Sequence, residues 1–551
     1  MKKKIIAYVV VTVLAGIYLF LEVPNLNPLY PDGAMFLCFL LTVYILISQI
    51  GKFQFQFHLN QISGGSQSPF SVSKLGKLSK APFVVIGVLW VALIAVHLFS
   101  TPLFHVKAYR EQLSEPQIKA FDTDMQPLDT SQIPIVDKDL AAKLADKKLG
   151  EKPALGSQVD LGEPTIQQVN GKLVWIVPLH HSGFFKWLSN IDGTPGYIVV
   201  SATDMQDVVY VESPKVKIHP NAFLMDKLIR RVRLGDGLFT GITDYSFEID
   251  ETGQPYYVVT TYKYLRGFAL PEATGVILIN ATTGGTEKYA IDQVPEWVDR
   301  IQPEDFVMEQ INNKGKYIHG LFNFSNFEKF EASYNDIIIY NNGNCYLFTG
   351  ITSVGSDNSI IGLMMVDLRT KEAIQYTMSG ATESAAMSSA EGKVQDLGYR
   401  ATYPILLNVQ SQPTYFMTLK DGEGLVKQYA YVSVKSYDLV GVGTTVTEAK
   451  RNYEAVIGSL SDSQVEDDKT VTATGKVVRI AGEFDGNQMQ YSMILDTNPN
   501  LIFTIGADKS AELALTKEGD TVLLTYAEQE SGVVKANSFD NAEFTQSKSA
   551  S

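Results

Sequence analysis

A chain of 551 residues is too long for one hydrophobic core and divides into several domains. Beyond residue 100 it carries 39 Lys and Arg against 58 Asp and Glu, a net of −19, a surface that repels phosphate backbones and argues against nucleic-acid binding. Its two cysteines, Cys38 and Cys345, exclude a disulfide framework and a cysteine-rich metal site, which suits a Gram-positive bacterial surface better than a eukaryotic secretory one.

Three apolar runs fill the first hundred residues: Ile5–Leu21, Ala34–Ile50 and Pro82–Ser100. Each is close to the ~17–20 residues that span a bilayer as a helix, where the backbone satisfies its own polar groups. A cleaved signal peptide is the rival reading of the first run. No small-x-small site follows Leu21, however, and two more runs come after it, so residues 1–100 are expected to form a retained membrane domain. The connection 51–81 holds Lys52, Lys74, Lys77 and Lys80 and no acid, while Glu22–Gly33 holds two acids and no base. The positive-inside rule then places the N-terminus and residues 51–81 in the cytoplasm, and everything beyond about residue 100 outside a multi-pass cell-membrane protein. The alternation Phe53-Gln-Phe55-Gln-Phe57 reads as part of a flexible linker, with a lipid-surface contact beside its lysines as the alternative.

Residues 101–135 are polar and irregular and are expected to be a tether. After them one unit recurs: a helix, then two to four antiparallel strands. The spacing predicts helices at Asp137–Leu149, Asn221–Leu234, Glu296–Ile301 with Glu304–Ile311, and Thr382–Leu397. A capping box, Thr445-Val-Thr-Glu448, starts a further helix through Ile457. The strands centre on four echoing hairpins, Gly193–Val211, Gly275–Tyr289, Gly362–Tyr376 and Tyr429–Gly443, each an apolar run, a polar turn and a returning β-rich strand. Each helix is too short to stand alone and must bury its stripe on its own sheet. The expected fold class is α+β, a row of modules at 136–212, 213–290, 291–378 and 379–460. The last segment, 466–545, alternates strands with a helical Ser510–Thr516 and predicts a five-stranded OB-like barrel. Nucleic-acid barrels need basic grooves, and here acids such as Glu466, Asp467, Asp468, Glu483 and Asp485 outnumber bases, so a protein- or glycan-facing module is expected. The tail after Phe544 reads as disordered.

A helix on an antiparallel sheet, with hairpins such as Tyr197–Asp204 (YIVVSATD) and Gly275–Gly284 (GVILINATTG), resembles the PepSY family of bacterial envelope modules. The third unit keeps Asp367 and Thr370 without the glycine, and the fourth departs further. The resemblance covers residues 136–460. The whole arrangement also resembles Gram-positive membrane proteins that carry a general cell-shape label. It implies modulation of peptidases or another interaction role in the envelope.

The sharpest local feature is Trp175-Ile-Val-Pro-Leu-His180-His181-Ser-Gly-Phe184-Phe185-Lys186-Trp187. Adjacent strand residues point to opposite faces, so His180 and His181 cannot both ligate one ion without a loop. The other histidines (His58, His97, His105, His219 and His319) fall at no ligand spacing, and no G-x-S-x-G or H-E-x-x-H motif occurs. The stretch is expected to be a loop, His180–Asp192, whose aromatics cover one end of the first module. Trp175, His180, His181, Phe184, Phe185 and Trp187 are its candidate binding surface for peptide or glycan. Asp204, Asp207, Asp236 and Asp250 are turn acids without a calcium-loop pattern, and Lys227, Arg230, Arg231 and Arg233 complement a helix dipole. The leading expectation is a non-enzymatic, membrane-anchored envelope protein, without cofactor or metal, that binds another envelope protein or the wall. The alternatives are an extracytoplasmic hydrolase using the His180–Trp187 loop, and a structural subunit of a larger membrane complex.

Overall fold

The computed structural model describes residues 2–49, 80–125, 130–333, 337–341, 343–355, 359–463, 470–484, 489–507, 509–527 and 532–544. Lys52, Lys74, Lys77, the Phe53–Phe57 alternation, His58, the acids Glu466, Asp467, Asp468 and Asp485, and the tail after Phe544 lie outside them. The protein is a mixed α+β chain that opens on three apolar helices, α1 (Lys2–Glu22), α2 (Pro31–Gln49) and α3 (Ala81–Phe99), each long and apolar enough to cross a membrane. Their polar side chains bond between helices: Lys4 Nζ donates to the Ser48 carbonyl at 2.8 Å and Trp90 Nε1 to Thr42 Oγ1 at 3.0 Å. Ile5, Val9, Val84, Val88 and their neighbours face outward, as a hydrocarbon surround requires.

Residues 101–125 are woven into the fold rather than forming a tether. Helix α4 (Pro102–Glu111) follows α3, and the three-residue strand Gln117–Lys119 pairs in parallel with Ile374–Tyr376. Phe121 and Met125 are buried beside it. Three residues are too few to show a period, so no local pattern announces this strand.

Four antiparallel sheets follow, each a meander of four main strands. Sheet I comprises β1 (Thr165–Val169), β2 (Lys172–His181), β3 (Tyr197–Ser201) and β4 (Val208–Val211). Sheet II comprises β5 (Gly241–Ile249), β6 (Pro255–Arg266), β7 (Ala269–Asn280) and β8 (Thr286–Ala290). Sheet III comprises β9 (Ile337–Asn341), β10 (Asn344–Ser353), β11 (Ser359–Asp367) and β12 (Ala373–Ala381). Sheet IV comprises β13 (Ile405–Val409), β14 (Gln412–Lys420), β15 (Val426–Ser433) and β16 (Val440–Gly443). The four echoing hairpins are the third and fourth strands of these sheets.

One hydrogen-bond pattern repeats in all four. The last residue of the third strand closes the turn through a side-chain oxygen: Ser201 accepts from the N–H of Asp204, Asn280 from Thr283, Asp367 from Thr370 and Ser433 from Ser436. The carbonyl of the next residue accepts from the segment that leads into the same module's helix. Ala202 holds Ile135 and Val136, Ala281 holds Lys217 and Ile218, Leu368 holds Ile301 and Gln302, and Val434 holds Ala381. Each of these next residues also donates its own N–H to the start of the second strand, at Leu173, Pro255, Cys345 and Pro413.

The helices that follow these segments are α5 (Lys138–Gly150), α7 (Leu228–Val232), α8 (Glu304–Lys316) and α9 (Glu383–Lys393), with a short α6 (Phe184–Ser189) inside the first module. Asp137 caps α5 by accepting from Leu140 N–H, and Thr382 caps α9 through Ala385 N–H. Two expected helices differ. Asn221–Leu234 shrinks to α7, flanked by irregular turns, because Arg230 and Arg233 turn inward to backbone carbonyls while Leu224 faces out. Glu296–Ile301 is not helical: Val298 and Ile301 are buried against sheet II and their segment is tied to Leu368.

The modules close on themselves. Sheet I packs on sheet II through Ile176 and Tyr197 against Tyr257 and Ile277. Sheet II buries Val258 and Leu278 under Val298 and Ile301, and Arg369 after β11 donates to the carbonyls of Val294, Pro295 and Val298. Sheet III meets sheet IV through Phe348 and Met365 against Tyr415 and Met417, with Ala386 and Ala390 of α9 between. Sheet IV returns to the first module: Val426 packs in the α5 cluster, Lys420 pairs with Asp137, and Lys143 donates to the Glu423 carbonyl. The row of modules is thereby bent into a ring of the propeller type, with helices laid between its sheets.

A second unit begins at Asn452, within helix α10 (Val446–Ser463). Its strands β17 (Thr470–Phe484), β18 (Met489–Leu495), β19 (Asn498–Gly506), β20 (Thr521–Ala527) and β21 (Gly532–Asn541) form a closed barrel in the order β17-β18-β19-β21-β20. β19 and β21 are parallel, a short helical turn at Ala511–Leu515 precedes β20, and Phe503, Ile505, Val522 and Leu524 fill the core.

Arg369 ties the second module to the third, beside the Lys371–Glu272 ion pair and the bond from Thr260 Oγ1 to the Ile301 carbonyl. Replacing Arg369 by leucine removes the donor to three carbonyls, and Arg369→Leu is expected to cost about 2–4 kcal/mol. Thermal unfolding of the solubilised full-length protein checks this, and an unchanged midpoint would show that the tie does not run through this side chain.

Candidate functional site

Among the described residues, β1, β5, β9 and β13 each pair with a neighbour on one side only. Residues of all four line a single cavity of about 1240 Å³ in the ring, among them Thr165, Ile166, Tyr245, Ser246, the whole run Ile337–Asn341, and Leu406. Pockets for small molecules usually measure ~300–1,000 Å³, so this space suits a chain segment better than a single metabolite. Its aromatic side chains are Trp175, Tyr245, Tyr340, Tyr403 and Phe416, and hydroxyl and amide groups fill much of the remaining wall. The charged side chains lean acidic, with Asp137, Glu163, Asp204, Asp207, Asp244 and Glu304 against Lys138, Lys172 and Arg300.

A buried polar network fixes the wall where three inner strands meet. Gln167 of β1 donates to the Ile249 carbonyl at 2.8 Å and accepts from Ile249 N–H at 3.0 Å, locking β1 to β5. Asp299 accepts from Gln168 N–H at 2.8 Å and from the Tyr340 hydroxyl at 2.9 Å, joining β1 to β9. Burial pushes the Asp299 carboxyl up. Glu248 is almost fully buried and accepts from Ser246 Oγ at 2.5 Å; burial pushes its carboxyl up to about 7 even with Arg300 nearby. Arg300 in turn donates to Glu304 at 2.9 Å.

The six residues singled out in the sequence go to three places. Trp175 lines the cavity, and its Nε1 donates to the Val136 carbonyl at 2.8 Å. His180 and His181 are not in a loop but end β2, and both are buried. His219, which no spacing singled out, enters between sheets I and II and completes an imidazole triad. Its ring stacks on His180 with centroids 4.7 Å apart, and its Nε2 lies 2.8 Å from His181 Nδ1. The Asn190 carbonyl, 3.1 Å from His181 Nε2, only accepts, so that nitrogen carries the proton and Nδ1 accepts from His219. Among the described residues His219 Nδ1 is then left buried without a partner. His180 Nε2 meets the Tyr257 hydroxyl at 3.0 Å. Desolvation lowers all three rings, His180 to about 4 and His219 to about 2, so they are neutral. Gly162 lies against the His180 ring, where a Cβ would come within 2.6 Å.

Phe184 and Phe185 lie exposed on α6, whereas Trp187 is buried, its Nε1 donating to Asp226 at 3.1 Å and its ring against Phe223. The candidate surface is therefore not one surface. Among the described residues no group of His, Cys, Asp and Glu is placed to hold a metal ion. The basic cluster serves backbone carbonyls: Arg230 donates to Phe20 and Leu224, Arg231 to Gly284, and Arg233 to Gly237 and Thr240.

No family model and no curated protein matches the chain. Among solved structures, a levansucrase mutant of B. megaterium matches at 10% identity over 80% of this chain and 94% of that one, with a TM-score of 0.17. A Trypanosoma rangeli sialidase matches at 10% identity over 70% of this chain and 54% of that one, with a TM-score of 0.14. Likenesses this slight carry no argument about fold or function.

The triad sets a pH dependence. The rings stay neutral in the fold but ionise near pH 6.5 in the unfolded chain, so their contribution is complete above that pH and falls away as pH drops toward the folded values. Near pH 5 the loss is about 2 kcal/mol for each of His180 and His219. Asp160 and Asp226 oppose the shifts of His180 and His181, and Glu248, with its raised carboxyl, pulls stability the other way. The comparison is therefore with His219→Phe: the midpoint of the parent is expected to drop more steeply between pH 7.5 and 5 than that of the variant. Parallel slopes would refute a neutral triad.

Proposed function

We propose that this is a non-enzymatic, membrane-anchored protein of a Gram-positive cell envelope, whose ring holds an extended segment of another envelope protein. The spans run with the N-terminus and residues 51–81 in the cytoplasm, following the lysine asymmetry of the loops. In support, the α1–α2 connection and the end of α3 meet the same sheet. Asn25 and Asn27 donate to the carbonyls of Thr240 and Phe239, Tyr30 to Tyr262, and Ser100 Oγ accepts from Phe268 N–H.

The observation that carries the binding reading is the set of four one-sided strands around one cavity. A strand edge offers its unbonded N–H and C=O groups to an incoming extended chain, here those of β5, β9 and β13, because Asp299 and Tyr340 already take Gln168 N–H and the Ile166 carbonyl of β1; pockets beside the edge select alternate side chains. Trp175 and Tyr245 give such side chains apolar contact. The resemblance of the modules to PepSY units favours a peptidase or a wall-synthesis factor as the owner of that segment. The C-terminal barrel, OB-like in strand order, provides a second protein- or glycan-facing surface. The hydrolase alternative draws no support from the triad. Its rings are buried, neutral and bonded to one another, Tyr257 and a carbonyl, whereas a general base needs access to the reacting group.

Photo-crosslinking tests the reading. With p-benzoylphenylalanine in place of Tyr245, which faces the cavity, irradiated cells are expected to yield an adduct with a peptidase or wall-synthesis protein. The same substitution at Tyr437, outside the cavity, should not. Trp175→Ala is expected to lower the Tyr245 adduct roughly tenfold. Equal yields from both positions, or adducts unaffected by Trp175→Ala, would remove the cavity from the interaction.

A further inference from the structure

Single exposed apolar side chains are ordinary on a protein surface, but a cluster of them is not. On this chain the cluster lies at the ends of the spans. Phe185 is 79% exposed and Leu188 53% on α6; Leu224 is 53% exposed, Ile229 lies on α7, and Phe239 is 60% exposed before β5. α6 is amphipathic across this boundary, with Trp187 turned in while Phe185 and Leu188 face out. The rings of Phe184 and Phe223, 5.2 Å apart, link α6 to the Leu224 turn.

The cluster is continuous with the last turn of α1. The Arg230 guanidinium, buried beneath it, donates to the Phe20 carbonyl at 2.8 Å and lies 4.2 Å from the centre of the Phe20 ring, while another of its nitrogens donates to the Leu224 carbonyl. Leu26 N–H donates to the Leu238 carbonyl, and Asn27 Nδ2 to that of Phe239. Phe20 and Leu21 end the apolar run of α1, so the residues around Arg230 sit at the level where hydrocarbon gives way to headgroups. A second exposed aromatic group, Phe322 and Phe324, follows α8, where Leu321 packs beside Val106 of α4, the helix that continues from α3. Elsewhere exposed apolar residues stand in ones and twos: Leu397 follows α9, and in the barrel Phe484 pairs with Met489 and Ile502 with Val533.

We propose that this face of the ring is a membrane-interface surface. Phe185, Leu188, Leu224, Ile229 and Phe239 insert among the headgroups and upper acyl chains of the leaflet at the α1 C-terminal end, and Phe324 does so beside α4. The inference rests on the reading of α1–α3 as spans. It adds that the β-rich region is held against the bilayer by its own surface as well as by its anchor, and so does not swing freely on the spans. Interfacial aromatic and aliphatic side chains on short amphipathic helices bind membranes through buried apolar area.

Site-directed spin labelling tests this on the full-length protein in phosphatidylcholine–phosphatidylglycerol nanodiscs. In a Cys38→Ala, Cys345→Ala background, single nitroxides are placed at Phe185→Cys, at Val88→Cys in α3, and at Leu397→Cys. The expected result is that a water-soluble nickel reagent reaches the labels at 185 and 88 several-fold less than the label at 397, while oxygen shows the reverse order. If 88 is protected and 185 is as accessible to nickel as 397, the interfacial contact is overturned and the anchor stands. If 88 itself is nickel-accessible, the anchor reading falls and the interfacial contact falls with it.

Discussion

A β-sheet that is apolar on both faces has to be covered on both sides, and all four sheets of this chain are of that kind. Sheet I buries Ile176 and Tyr197 toward sheet II and Val177 and Ile198 toward α5; sheet III buries Phe348 and Met365 on one side and Leu347 and Val366 on the other. One short helix per module covers one face only. A linear stack would leave an apolar face bare at each end, the problem that repeat proteins solve with caps. Closing the stack through the contact of α5 with the β14–β15 hairpin covers both ends at once. At ~25 cal/mol per Å² of apolar area, leaving such faces in water would cost far more than the hydrogen bonds of the junction contribute.

The internal repeat makes closure possible. In every module the residue after the third strand holds the helix-entry segment by its carbonyl and the second strand by its N–H, so each helix is fixed on its own sheet in the same way. Equal modules related by equal steps return to the start when the rotation between neighbours closes. A consequence of the ring is a centre that no single core fills. The first strands meet there with Asp299, Gln167 and Tyr340 crosslinking three of them. Buried polar groups of this kind tolerate removal of one partner poorly and hold the strands in one register.

The membrane end adds a second constraint. Sheet II is gripped by the α1–α2 connection and by Ser100, so the second module departs most from the common pattern. Its helix α7 is little more than a single turn, and Arg230 and Arg233 are among the module's buried side chains. These guanidiniums bind bare carbonyls at the ends of α1 and of the turn after α7, groups that would otherwise lie in a region poor in water.

The amino-acid sequence alone determined what depends on neighbouring residues: three apolar helices of bilayer length, four hairpins with polar turns, and a five-stranded OB-like barrel. Length of apolar run, two-residue alternation and turn chemistry are local quantities, and they survive without knowledge of the partners. Only the tertiary structure decided that the modules form a ring, that Gln117–Lys119 joins a sheet through Ile374–Tyr376, and that His219 meets His180 and His181. It alone shortened Asn221–Leu234 to α7, with Arg230 bonded to the end of α1. Each of these depends on surfaces that meet across long stretches of chain. The cost of closing such loops grows only slowly with their length, so the pairing is chosen by which faces fit and not by any pattern written at either end.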